Sequence, residues 1–110
     1  MNSSLQLNDV ELHAVQEILA QHFPPGAQKI WVFGSRANGR PRADSDLDLL
    51  FDPPLPLVTR AKLSEAFEES SLSFEVDLVN REDLAPEYRD RIEAAKIALA
   101  WPQNENPRSG

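Results

Sequence analysis

Two strand-like runs, Lys29-Ile-Trp-Val-Phe33 and Asp46-Leu-Asp-Leu-Leu-Phe51, bracket a short segment that carries Gly34, Ser35, Arg36, Gly39, Arg40, Arg42 and Asp44. The first run is rich in β-branched and aromatic residues, which suits a buried strand. The second alternates, so Leu47, Leu49 and Phe51 fall on one side and Asp46, Asp48 and Leu50 on the other. A chain built around this feature has a sheet at its centre and a charged loop at one end of it.

The remaining sequence supplies helices for that sheet. Asn8 or Asp9 can cap a helix whose Leu12, Val15, Ile18 and Leu19 share a face, and Pro24, Pro25 and Gly26 end it near Phe23. Asp52-Pro-Pro-Leu-Pro56 stops the second strand. A helix over about residues 58–70 brings Leu63, Ala66 and Phe67 together, and residues 73–79 form a third strand with Phe74, Val76 and Leu78 on one face and Glu75 and Asp77 on the other. Asn80 and Asp83 resemble a helix start, and Pro86 suits the first turn of a last helix. Tyr88, Ile92, Ala95 and Leu99 form its main apolar stripe; Ala94, Ile97 and Trp101 form a second strip beside it, which would want a further neighbour. The first residues read as loose and residues 101–110 as a flexible tail.

The order is α-β-β-α-β-α, an α/β (α+β) domain over residues 1–100 with a small mixed sheet flanked by helices. With 110 residues, 41% of them hydrophobic, the chain suits one domain with a modest core. If Ser35 and Asp46 serve one site, the first two strands are antiparallel neighbours. The absence of cysteine removes disulfides and thiolate metal sites and is compatible with a reducing cytoplasm. The N-terminus lacks the pattern of a signal peptide, and the apolar runs are too short for a membrane span.

A net charge of −7 makes a poor generic binder of nucleic acid. Residues 34–47 are locally basic, with Arg36, Arg40 and Arg42 against Asp44 and Asp46. A small anion held with a metal suits such a loop better than a long polyanion. Glycine at position 34 lets backbone approach a ligand closely, and Ser35 offers a hydroxyl and an N–H to a phosphate. Asp46 and Asp48 share a strand face, where two carboxylates repel unless a cation lies between them. Mg²⁺ is the natural hard-ion resident. Asp77 adds a third carboxylate if its strand neighbours the second, and three carboxylates beside a Gly-Ser turn suit two-metal phosphoryl or nucleotidyl transfer. His13 and His22 do not share a helical face as ligands would, and Trp31 reads as core.

The spacing Gly34-Ser35-x10-Asp46-x-Asp48 resembles the signature of the Pol β-type nucleotidyltransferase superfamily, and the wording FGSRANGRPRADSDLDLLF followed by EVDLV resembles its minimal nucleotidyltransferase (MNT) branch. The resemblance implies that Gly34 and Ser35 hold the triphosphate of ATP, and that Asp46, Asp48 and Asp77 bind a pair of Mg²⁺ ions and carry the catalysis. Arg36, Arg40 and Arg42 are added from their charge as candidate triphosphate contacts. The resemblance further implies a HEPN-type ribonuclease toxin as partner, with AMP passing to a tyrosine hydroxyl and pyrophosphate leaving. Two alternatives stand beside this: an antitoxin that acts by binding alone, and nucleotide transfer to a small molecule. No nucleic-acid or membrane partner is expected, and a homo- or hetero-oligomer is compatible with the second apolar strip.

Overall fold

A computed structural model describes residues 7–23, 28–38 and 46–99. Helix α1 (Asp9–His22) begins with a capping box. The Glu11 N–H donates to Asn8 Oδ1 at 2.8 Å, and the Asn8 N–H donates to Glu11 Oε1 at 3.1 Å. The chain turns extended at Phe23 and enters β1 (Lys29–Phe33). A single helical turn, α2 (Ser35–Asn38), follows directly, where the sequence suggests only loop. Strand β2 (Leu47–Asp52), helix α3 (Leu57–Glu68) and strand β3 (Val76–Asn80) come next. A 3-10 turn over Arg81–Asp83, helix α4 (Pro86–Ala95) and a two-residue strand β4 (Ile97–Ala98) complete the fold.

The four strands lie in the order β3-β2-β1-β4. β1 pairs antiparallel with β2, as expected from the Ser35–Asp46 argument, and β2 pairs parallel with β3. The sheet is therefore mixed. Its β2–β3 crossover runs through α3, because parallel neighbours need a long connection. The alternation in β2 plays out as the pattern predicts. Leu47, Leu49 and Phe51 are buried among Val15 and Leu19 of α1, Leu63 and Phe67 of α3, and Ile30, Val32 and Leu78 of the sheet. On the opposite face Leu50 is also fully buried, and Lys96 Nζ lies 4.6 Å from the centre of the Trp31 ring.

The last helix corrects the sequence expectation. It stops at Ala95, and Ile97 and Ala98 pair with Val32 and Trp31 at the free edge of β1. Leu99 is buried, with its N–H donating to Ile30 O at 3.0 Å, while Tyr88 is 53% exposed. The stripe from Tyr88 to Leu99 is thus not one helical face, and the second strip is broken because Ile97 is strand; Trp101 lies outside the described residues. An open β1 edge outweighs the modest helix propensity of the Lys96–Ile97 segment, since pairing satisfies edge N–H and C=O groups. Arg81, which pairs with Glu93 and lies 3.9 Å from Asp52, and Lys96, 3.0 Å from Glu93, tie the end of α4 to the sheet.

The lesser expectations fall out locally. His22 caps its own helix end, its Nδ1 donating to Ile18 O at 2.9 Å, and His13 lies exposed, 3.6 Å from Glu17. Asn80 accepts from the Leu55 N–H at 2.9 Å and so joins the β2–α3 connection to the end of β3. Of the start expected to be loose over residues 1–7, Leu7 packs against the core, and residues 1–6, the Pro-Pro-Gly turn and the tail lie outside the described residues.

Candidate active site

The site grows from the point where β1 ends beside β2. Phe33 pairs with Asp48, so the residue after Phe33 must turn away over that carboxylate. Gly34 does so with φ +78°, a left-handed conformation that side chains disfavour. A Cβ at this position would lie 2.3 Å from Asp48 Oδ2. Glycine is therefore required twice over, by backbone angle and by the carboxylate against it. Gly34 O accepts the Ala37 N–H at 3.0 Å, which closes α2 and places Ser35 at its first position.

The register between β2 and β3 then sets the acidic centre. Asp48 is the direct partner of Asp77, and Leu47 N–H donates to Glu75 O at 2.8 Å at the mouth of the pair. Both aspartates point away from the face that Leu49 and Leu78 bury. Asp48 is half-buried, while Asp46 and Asp77 are exposed. Burial pushes the Asp48 carboxyl up to about 6, and the charge of Asp77, a hydrogen bond with Asp77 and the charge of Asp46 push the same way. The three aspartates singled out from sequence thus share one electrostatic site. Among the described residues no group of three or more His, Cys, Asp or Glu side chains is already drawn in to metal-ligand spacing.

A cleft of about 710 Å³ opens beside these residues. Asp46, Asp77, Glu75 and Glu68 give it acidic walls, and Phe67 and Phe74 give it an apolar side. The sequence reading missed this cleft, because the end of α3 and the approach to β3 come together only in the fold. The parity of Glu75 with Asp77 was its one visible trace.

Arg36, one of the three arginines taken from their charge as candidate triphosphate contacts, lies inside the protein wall. It is 4% exposed, and its guanidinium carbon lies 4.1 Å from the centre of the Phe74 ring. The residue forms part of the packed wall between α2 and the segment before β3. Arg40 and Arg42 lie outside the described residues, as do Gly39 and Asp44.

A glycine turn pressed against paired aspartates at the end of a mixed sheet is a layout for handling nucleotide phosphates, and the chain belongs to the nucleotidyltransferase domain family, whose match spans residues 12–99. Its likeness falls among the small members of that family. It is 34% identical over 99 residues to the "Probable protein adenylyltransferase MntA" of Haemophilus influenzae, covering 88% of this chain and 85% of that protein. A solved minimal nucleotidyltransferase is 36% identical, with TM-score 0.58 over 80% of this chain and 88% of that one. The fold is also that of a toxin–antitoxin structure with AMP-PNP, at TM-score 0.62 and 23% identity over 84% of this chain and 74% of that one. It is likewise shared with an MNT antitoxin solved with tri-AMPylated HEPN toxin of Shewanella oneidensis, at TM-score 0.57 and 20% identity over 88% of this chain and 75% of that one.

Proposed function

We propose that this protein is a Mg²⁺-dependent nucleotidyltransferase that moves AMP from ATP to a tyrosine hydroxyl of a HEPN-type toxin, releasing pyrophosphate. The observation that carries it is the Asp48–Asp77 pairing beside Gly34, which concentrates negative charge next to a glycine turn. The relatives named above supply the substrate and the partner: one is named an adenylyltransferase, and one is an antitoxin with an AMPylated HEPN toxin.

The donor set fits a hard divalent ion. It is all carboxylate oxygen, and burial, with the charges of Asp77 and Asp46 beside it, pushes the Asp48 carboxyl up to about 6. Asp46, Asp48 and Asp77 would hold Mg²⁺, two ions in the reading given by the resemblance. When bound, the metal neutralises triphosphate charge and stabilises the attacking and leaving oxygens.

The chain's own residues then have distinct tasks. Gly34 and Ser35 seat the β- and γ-phosphates through backbone and hydroxyl donors, and Arg40 and Arg42 are the candidate cations for the triphosphate. Asp77, exposed at the edge of the cleft, accepts the proton of the acceptor hydroxyl. The acceptor oxygen forms a bond to the α-phosphorus, the bond from that phosphorus to the bridging oxygen breaks, and pyrophosphate departs with the electron pair. Among the described residues no helix is long and apolar enough to cross a membrane. We place the activity in the cytoplasm, where ATP and Mg²⁺ are plentiful.

The test mixes the protein with α-³²P-labelled ATP, Mg²⁺ and a HEPN-type protein, the product of an adjacent open reading frame where one is encoded there, and looks for label on a tyrosine of that protein. Label that depends on Asp46 and Asp48 supports the proposal. If wild-type protein and an Asp46→Asn/Asp48→Asn double variant neutralise the toxin equally, with no label on it, inhibition is by binding and the proposal fails.

A further inference from the structure

We propose that Arg36 is a positioning residue for nucleotide transfer: its guanidinium, stacked on Phe74, holds the Gly34–Ser35 turn at a set distance from the carboxylates of β2 and β3. The proposal rests on the function proposed above and adds a residue pair to it.

The stack joins the two halves of the site. Arg36 sits in α2, directly after the phosphate-binding turn, and Ala37 beside it is buried in the core. Phe74 belongs to the same core, at 7% exposure, and also lines the cleft with Asp46 and Asp77. The residue after Phe74, Glu75, accepts the Leu47 N–H and so locks this segment to the start of β2. Displacing the Arg36 side chain would therefore move the turn relative to Asp46, Asp48 and Asp77 together.

The chemistry favours arginine for this task. A guanidinium is planar, always charged and weakly hydrated, so it can lie buried on an aromatic face and still offer in-plane N–H groups to neighbours. A lysine ammonium keeps the charge but lacks the plane. A direct phosphate ligand would be read differently, since the guanidinium fork at position 36 would set nucleotide affinity and the ring at position 74 would not.

The experiment compares Arg36→Lys, Phe74→Leu and the double variant. It follows AMP transfer to the HEPN-type protein and binding of α,β-methylene ATP with Mg²⁺, with the ³¹P shifts of the bound analogue and the melting temperature alongside. Each single variant is expected to lower kcat by roughly 3- to 30-fold, the range of a buried cation–π contact. Its Kd for the analogue should stay within about twofold of wild type, because the losses fall on geometry and not on ground-state binding. The double variant should be no worse than the more impaired single one. Where Phe74→Leu fails to fold, Phe74→Tyr replaces it: the retained ring should keep transfer near wild type while Arg36→Lys remains impaired.

Three outcomes overturn the proposal. A raised Kd for Arg36→Lys with Phe74→Leu unaffected makes Arg36 a direct phosphate ligand. Lowered melting temperatures with wild-type kcat make the stack a packing contact only. Strictly additive losses break the link between the two residues. A wild-type protein that binds the analogue but transfers no AMP removes the proposed function instead; unchanged ³¹P shifts in both variants would then overturn the stack independently.

Discussion

Asp48 and Asp77 stand opposite one another across the parallel β2–β3 pair, and the charge of Asp77 adds to burial in making Asp48 costly to ionise. Two acids placed directly across a ladder repel when both are charged, yet the fold puts them there. Sites that store repulsion of this kind trade stability for function.

Asp48→Asn removes one of the two charges and keeps the shape. We expect the variant to melt higher than wild type in the absence of divalent ions, and to lose roughly 10²- to 10³-fold in AMP transfer, the scale of removing one electrostatic stabiliser from a reacting centre. Differential scanning calorimetry and a labelled-transfer assay read the two effects separately. A melting temperature that falls would mean the Asp48–Asp77 contact is net stabilising.

The pH dependence has a definite sign. The Asp48 carboxyl is pushed up to about 6, above its ordinary value of 3.8. The folded protein therefore keeps a proton that the unfolded chain has already released, and this contribution to stability is present below the ordinary value and lost as pH rises toward 6. The melting-temperature advantage of Asp48→Asn over wild type should grow across that window and level off above it. Mg²⁺ should shrink the advantage. Titration of the Asp48 side-chain carboxyl by ¹³C NMR gives the midpoint directly.

Gly34→Ala is expected to be costly for two separable reasons, the left-handed φ of +78° and a Cβ 2.3 Å from Asp48 Oδ2. The backbone part alone is worth about 1–2 kcal/mol. Chemical denaturation of Gly34→Ala in wild-type and Asp48→Ala backgrounds isolates the contact: the glycine substitution should cost less when the carboxylate is absent. Equal costs in both backgrounds would show that the turn relaxes away from β2.

Leu99→Ala should destabilise by about 2–5 kcal/mol, as for a leucine taken from a packed core. Leu99 is 2% exposed and is held after β4 by its bond to Ile30 O. Tyr88→Ala, on the stripe a continuous helix would share with it, should change the unfolding midpoint little, because Tyr88 is exposed. Urea midpoints of the two variants distinguish the observed fold from a single long helix.

Local pattern was enough for much of this protein. The alternation in residues 46–51 sorts core from site, since side chains on a strand must face opposite ways whatever surrounds them. Gly34-Ser35 after a buried strand marks a turn, and Asn8 or Asp9 ahead of an apolar stripe marks a helix start, because these depend on neighbours in the chain. Tertiary structure decided the rest. It set β3 beside β2 in the register that matches Asp48 with Asp77, ended α4 at Ala95 so that Ile97 and Ala98 could pair with β1, and laid Arg36 on Phe74. Each of these joins residues far apart along the chain, and such contacts are chosen by which edges and surfaces remain to be covered once the local elements have formed, information that no short stretch of sequence contains.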